Sequence, residues 1–162
     1  MRFVRGVAAG AALAIAIAVP AVAATTVVSV PGDAGWVSTG IGVSAGQVVS
    51  IQAYGYVVTA SVPQFHTPGV STPASGPAGQ TIGQLCGTTE ASLPRAVIAQ
   101  IGECAVDDAY FGELVGRVGN KTFVIGDASS FVAPKSGVLE LAANDFVFTY
   151  FDNSGSFTTQ VG

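Results

Sequence analysis

Val48-Val49-Ser50-Ile51-Gln52-Ala53-Tyr54-Gly55-Tyr56-Val57-Val58 alternates apolar and polar side chains from Val49 to Tyr54. Successive side chains of a strand point to opposite faces, so Val49, Ile51 and Ala53 are expected on a core, with Ser50, Gln52 and Tyr54 toward water. Shorter runs of the same kind are Glu113 to Val118, Thr122 to Ile125, Val138 to Ala142 and Ser156 to Val161, each bounded by Gly or Asn. Within Gly137 to Ala143, Leu139 and Leu141 face one way and Glu140 the other, as a half-buried strand requires. Short strands punctuated by turn residues predict an all-β fold, a small antiparallel jelly-roll-like β-sandwich.

Two stretches interrupt this rhythm. From Ser61 to Gly83, Pro63, Pro68, Pro73 and Pro77 stand in a Ser/Thr/Gly background, which reads as a long surface loop. Loops of that length are usually functional. Farther on, Leu93, Val97, Ile98 and Ile101 fall at helical spacing, with Ser92 as a cap, Pro94 near the first turn and Gly102 as the stop. One short helix is expected there. The competing expectation is an extra strand, because Ala96 to Glu103 echoes Glu113 to Asn120.

The chain has 162 residues, 49% hydrophobic and only 10% charged, which excludes a disordered chain or a coiled coil. Its start reads as a removable export signal over 1–23: Arg2 and Arg5 are followed by an uncharged apolar run and by Ala21-Val22-Ala23, a small-residue cleavage site. A retained membrane anchor needs about 20 unbroken apolar residues, and Pro20 interrupts this run. The remaining 24–162 suffices for one domain, expected to be secreted and without a membrane span. It carries four basic and ten acidic residues, a net charge of −6 that disfavours nucleic acid or anionic lipid as a partner.

Cys86 and Cys104 are the only cysteines. In an oxidising compartment such a pair is expected to form a disulfide, two reduced thiols being the alternative. Gly42-Val43-Ser44-Ala45-Gly46 fits a nucleophile-elbow expression, yet a strand follows it where an elbow needs a helix, and it reads as a turn. His66, the sole histidine, cannot build a His-rich zinc site. Asp107 and Asp108 are adjacent and read as solvated turn residues. Trp36, Tyr54 and Tyr56 are either a stacking platform for sugar rings or ordinary cross-strand packing.

The most informative stretch is Asn144-Asp145-Phe146-Val147-Phe148-Thr149-Tyr150-Phe151-Asp152-Asn153-Ser154-Gly155-Ser156-Phe157. Calcium takes six to eight oxygens from carboxylates, amides and backbone carbonyls. Two strand ends joined by a short loop can bring Asp145, Asp152 and Asn153 together, with Thr149 offering its carbonyl. The spacing is not that of an EF-hand. On the residues alone, a hairpin with solvated polar side chains is an equal reading.

This stretch resembles the calcium loop of the bacterial galactophilic lectins: Asn-Asp, a four-residue step to Thr, a three-residue step to Asp-Asn, then Ser-Gly-Ser-Phe. Val48 to Tyr56 is similar to the family's first long strand, Gly76-Pro77-Ala78-Gly79 to its Gly-Pro-x-Gly turn, and Asp108 to Asn120 to its strand ending in Gly-Asn; Phe131 to Pro134 and Gly137 continue the likeness. The resemblance implies a sandwich that binds galactosides through a calcium ion (Ca2+). Asp145, Asp152 and Asn153 would be side-chain ligands, and Thr149 and Thr59 backbone ligands. Asp145, Phe146 and Asp152 would meet the sugar. The family's His and Gln contacts follow its Gly-Pro-x-Gly turn, whereas His66 precedes Gly76, so that role is not carried over, and Gln80 to Glu103 is longer than the family's corresponding loop.

The expected function is that of a carbohydrate-binding lectin and not an enzyme, taking galactosides or other glycans, with a homo-oligomer left open. The alternatives are a calcium-stabilised structural or surface-adhesion domain and a small secreted hydrolase using Ser44 or the acidic residues.

Overall fold

The computed structural model describes residues 24–59, 70–74 and 85–162. Among the described residues, nine strands form two antiparallel sheets: β1 (Thr26–Pro31), β2 (Val37–Val43), β3 (Val48–Thr59), β4 (Val70–Pro73), β5 (Leu114–Val118), β6 (Lys121–Val124), β7 (Ala128–Val132), β8 (Gly137–Ala143) and β9 (Ser154–Val161). The first sheet runs β1-β9-β3, and the twelve-residue β3 is long enough to hold both β7 and β4 on its other edge. The second runs β2-β8-β5-β6.

The alternation in β3 holds as its sequence requires: Val49, Ile51 and Ala53 are buried, and Ser50, Gln52 and Tyr54 face out. Val30, Val57, Phe157 and Val161 join them from the first sheet, against Leu114, Val118, Leu139 and Leu141 from the second. Each such side chain contributes about 1.5–3 kcal/mol on burial. β5 is buried on both faces, because Val115 turns away from that core toward Val106, Ala109 and Ala142, with Trp36 beside them. On β8, Glu140 points opposite to its leucine neighbours and takes Arg117 of β5 in a two-bond ion pair at 2.7 and 3.1 Å. Arg117 in turn lies 4.5 Å from the centre of the Trp36 ring.

Glycine is needed where β3 and β9 run closest to the functional loop. Gly155 has φ +78°, and a Cβ there would collide with the Tyr56 carbonyl. The Ser-Gly-Ser motif thereby allows β9 to pair with β3 from its first residues, Val58 opposite Ser154 and Val57 opposite Gly155.

Two expectations need correction. The loop expected over 61–83 is crossed by β4, whose pairing with β3 supplies the backbone partners that a loop lacks; Gly76 to Gly79, Gln80 and His66 lie outside the described residues. The single helix expected near Ser92 is instead a pair, α1 (Cys86–Ser92) and α2 (Arg95–Ile101), and no strand forms there. Ser92 closes α1, its hydroxyl donating to the Thr89 carbonyl at 2.6 Å, while Pro94 precedes α2 and Gly102 ends it with φ +83°. Proline's fixed φ suits a helix start, and glycine tolerates the left-handed residue that stops one. The disulfide Cys86–Cys104 closes this hairpin with Cα atoms 5.9 Å apart.

Candidate functional site

β8 delivers Ala143 to the core, and the chain then leaves the sheet for ten residues before β9 begins at Ser154. Asn144, fully buried, holds this departure. Its Oδ1 accepts the Val106 N–H at 2.9 Å, and its Nδ2 donates to the carbonyls of Val106, Ala109 and Tyr110 at 3.0–3.2 Å. With both ends of the amide committed, Asn144 is a staple and not a ligand. This role is invisible in the sequence, where Asn144 is only the first letter of a motif.

Asp145 is buried at 6% exposure, yet carries a carboxylate. Oδ1 accepts the Phe146 N–H at 2.7 Å, and Oδ2 accepts an amide hydrogen from Asn153 at 2.8 Å. Loss of hydration pushes its pKa above the ordinary carboxylate range, with a smaller push from the Asp152 charge, while the hydrogen bonds from Asn153, Phe146 and Thr149 oppose it. Asp152 is exposed and also raised, by partial burial. Two acidic groups close enough to repel each other, one of them buried, favour a cation between them. Among the described residues the ion pair is Arg117 with Glu140, so no lysine or arginine salt bridge neutralises Asp145 or Asp152.

Successive tight turns shape the rest. Thr149 N–H donates to the Phe146 carbonyl at 3.0 Å, Asp152 N–H to the Thr149 carbonyl at 3.1 Å, and Asn153 N–H to the Tyr150 carbonyl at 3.0 Å, the last two spanning the 3-10 turn Tyr150–Asp152. The Thr149 carbonyl keeps a second lone pair after this bond. Asn153 also donates to the Gly32 carbonyl at 3.3 Å. Thr59 is buried at the end of β3, one residue past the Val58–Ser154 pair, as Asn153 is one residue before Ser154. The structure thus brings Asp145, Thr149 and Asn153 together through hydrogen bonds, Asp152 through its turn and its charge, and Thr59 through strand register. The donor set is all hard oxygen. Combined with the uncompensated buried carboxylate, it suits calcium.

The loop is braced from behind by the helical hairpin. Cys104 pairs with Phe146 as an antiparallel bridge, Ala105 N–H donates to the Asp145 carbonyl, Val147 N–H to the Glu103 carbonyl and Phe148 N–H to the Ile101 carbonyl, the last three each at 3.0 Å. Glu90 of α1 accepts the Cys104 N–H at 2.7 Å, and the Phe146 ring packs on Phe111 with centroids 5.3 Å apart. The grouping Glu90, Cys104 and Asp107 resembles a metal cluster by proximity, but Cys104 has no thiolate to give because it is in the disulfide.

Other residues singled out in the sequence stand apart from this loop. Ser44 is exposed in a turn between β2 and β3, its N–H donating to the Gln47 side chain at 3.0 Å, with a strand where an elbow needs a helix. Asp107 and Asp108 are exposed turn residues. Tyr54 and Tyr56 face out from β3, but Trp36 packs under Arg117 against the second sheet, so the three form no common platform.

Residues 86–162 match the model of a family described as PA-IL, PA-IL-like protein. Among solved structures, an EclA N-terminal domain described as a PllA-like lectin superposes with a TM-score of 0.56 at 20% identity, covering 83% of this chain and 92% of that one, which establishes a shared fold. The chain matches no curated protein. The family match spans the disulfide hairpin, β5 to β9 and the whole Asn144–Asn153 loop, so over these residues the chain is similar to the PA-IL-like proteins.

Proposed function

We propose that the protein is a secreted lectin that binds galactosides through a calcium ion held by the loop between β8 and β9. The observation that carries this reading is Asp145, a buried carboxylate sharing a hydrogen bond with Asn153, repelled by Asp152 and paired with no arginine or lysine among the described residues. Asp145, Asp152 and Asn153 would hold the ion with their side chains, and Thr149 and Thr59 with their carbonyls. Bound calcium would supply open coordination positions for vicinal sugar hydroxyls.

The chain's own residues do the rest. Asp145 and Asp152 are acceptors for sugar hydroxyls, and the charge-assisted bonds they make are the stronger kind. The backbone at Phe146 adjoins them, its N–H held on Asp145 Oδ1, which fixes the carboxylate's orientation. Residues 1–23 are the export signal on this reading, consistent with a disulfide that persists in oxidising compartments. Among the described residues no helix is long and apolar enough to cross a membrane.

A monosaccharide buries little apolar surface, so the expected Kd for galactose is about 0.1–1 mM. Isothermal titration with galactose, run once in calcium and once in chelator, tests the reading. Binding only in calcium supports it. Binding that survives chelation contradicts the mechanism, and calcium binding without a response to any glycan favours the structural-domain alternative.

A further inference from the structure

We infer that Phe148 and Phe151 form an apolar rim beside the calcium loop and contact the C–H face of a second pyranose, the one next to the galactose held at Asp145 and Asp152. The inference rests on the lectin reading and extends it to the choice of ligand.

The loop Asn144–Asn153 inverts the usual partition of side chains. Asp145, Thr149 and Asn153 are buried, while Phe148 is 61% and Phe151 80% exposed. A single exposed apolar residue is ordinary. Two phenylalanines with the partly exposed Val147 on one ten-residue loop make a patch, and such patches mark contact sites. Folding does not account for them, since the other two aromatic residues of the loop, Phe146 and Tyr150, are buried.

Their placement is specific. Phe148 precedes Thr149 and Phe151 precedes Asp152, two of the proposed calcium ligands. They stand three residues apart in a run of turns closed by i to i+3 hydrogen bonds, and both are exposed. Phe148 is also fixed. Its N–H is bonded to Ile101, and its ring leans on Gly102, where a Cβ would come within 3.2 Å of it. A side chain already held in place loses little freedom when a ligand arrives.

A pyranose has a hydroxyl edge and an apolar C–H face. The carboxylates can take the edge of one ring, and the exposed rings can take the face of its neighbour.

The test compares the full-length protein with its Phe148→Ser/Phe151→Ser variant, in calcium, using methyl galactoside and a galactosyl-galactose disaccharide. The expected result is unchanged melting, calcium affinity within about twofold, methyl galactoside affinity within about threefold, and disaccharide affinity lowered about tenfold. Equal disaccharide affinity in the two proteins, with methyl galactoside still bound, overturns this inference alone. A variant that changes from oligomer to monomer without losing disaccharide affinity also overturns it, and assigns the rim to self-association. A wild-type protein that binds neither sugar in calcium removes the proposed function and this inference together.

Discussion

The backbone N–H of Ala105 donates to the carbonyl of Asp145 at 3.0 Å, so the residue with the buried carboxylate is held by the strand-like end of a disulfide-closed hairpin. Cys104, the neighbour of Ala105, is fixed both by its bond to Cys86 and by Glu90. Calcium affinity should therefore depend on the disulfide.

In a Cys86→Ser/Cys104→Ser variant, calcium affinity measured by titration calorimetry should fall about tenfold, beyond the global loss of about 3 kcal/mol that opening an 18-residue loop entails. Unchanged calcium affinity would show that the hairpin is only an appendage. Labelling of the wild-type protein without reductant should find no free thiol.

Calcium at a hundredfold excess over its Kd should stabilise the folded domain by about 2.7 kcal/mol, since the ion binds only the assembled loop. Thermal melting with calcium and with chelator measures this. The Asp145→Ala variant should melt alike in both, having lost the central carboxylate.

Gly155→Ala should cost about 2 kcal/mol or more, because φ +78° is strained for alanine and its Cβ meets the Tyr56 carbonyl. Melting in chelator isolates this cost from any effect on the ion.

Glu113 is buried, and its carboxyl is held above its ordinary 4.5 by loss of hydration, which outweighs the hydrogen bond from the Tyr110 N–H. The folded state therefore holds this proton more tightly than the unfolded state does. That contribution is fully present below about pH 4.5 and is lost as pH rises through the folded-state value. Glu113→Gln keeps an acceptor for Tyr110 and removes the charge. Its melting temperature should match wild type near pH 4 and exceed it increasingly toward pH 7; a difference independent of pH would contradict the assignment.

Tyr150 is buried with its ring against Gly35, and its hydroxyl has no hydrogen-bond partner among the described residues. Its pKa is pushed well above the usual phenol range, by burial first and by the Asp145 charge second. An unsatisfied buried hydroxyl costs about 1–3 kcal/mol. Tyr150→Phe should thus melt at or above the wild-type temperature, and a clear drop would show that the hydroxyl has a partner in solution.

How much of this was legible in the sequence depended on how local the cause was. β3 and β8 were readable because their cores need alternate residues, and Val49, Ile51, Leu139 and Leu141 supply them. β2 was not, because Gly40 and Gly42 remove side chains and its register against β8 shifts between Ser38 and Gly42, erasing the period of two. The hairpin's second helix was legible from Val97, Ile98 and Ile101; its first, Cys86–Ser92, presents Gly and Thr where a helical stripe would show. In the site, the ligand types announced themselves by their oxygens. The brace did not, since the Ala105–Asp145 and Phe148–Ile101 bonds involve backbone atoms only.

β9 lies between β1 and β3 in the first sheet, and its first residue follows Asn153 directly. Thr26 of β1 pairs with Val161, 135 positions later, and Ile51 of β3 pairs with that same residue. During synthesis, β1 and β3 must wait for the segment between them, and so must the loop that β9 anchors. Contacts so distant in sequence form slowly. On the calcium reading, metal capture would be a late event in this protein's life, following the emergence of Ser154–Val161 and the pairing of the two early strands with their shared neighbour.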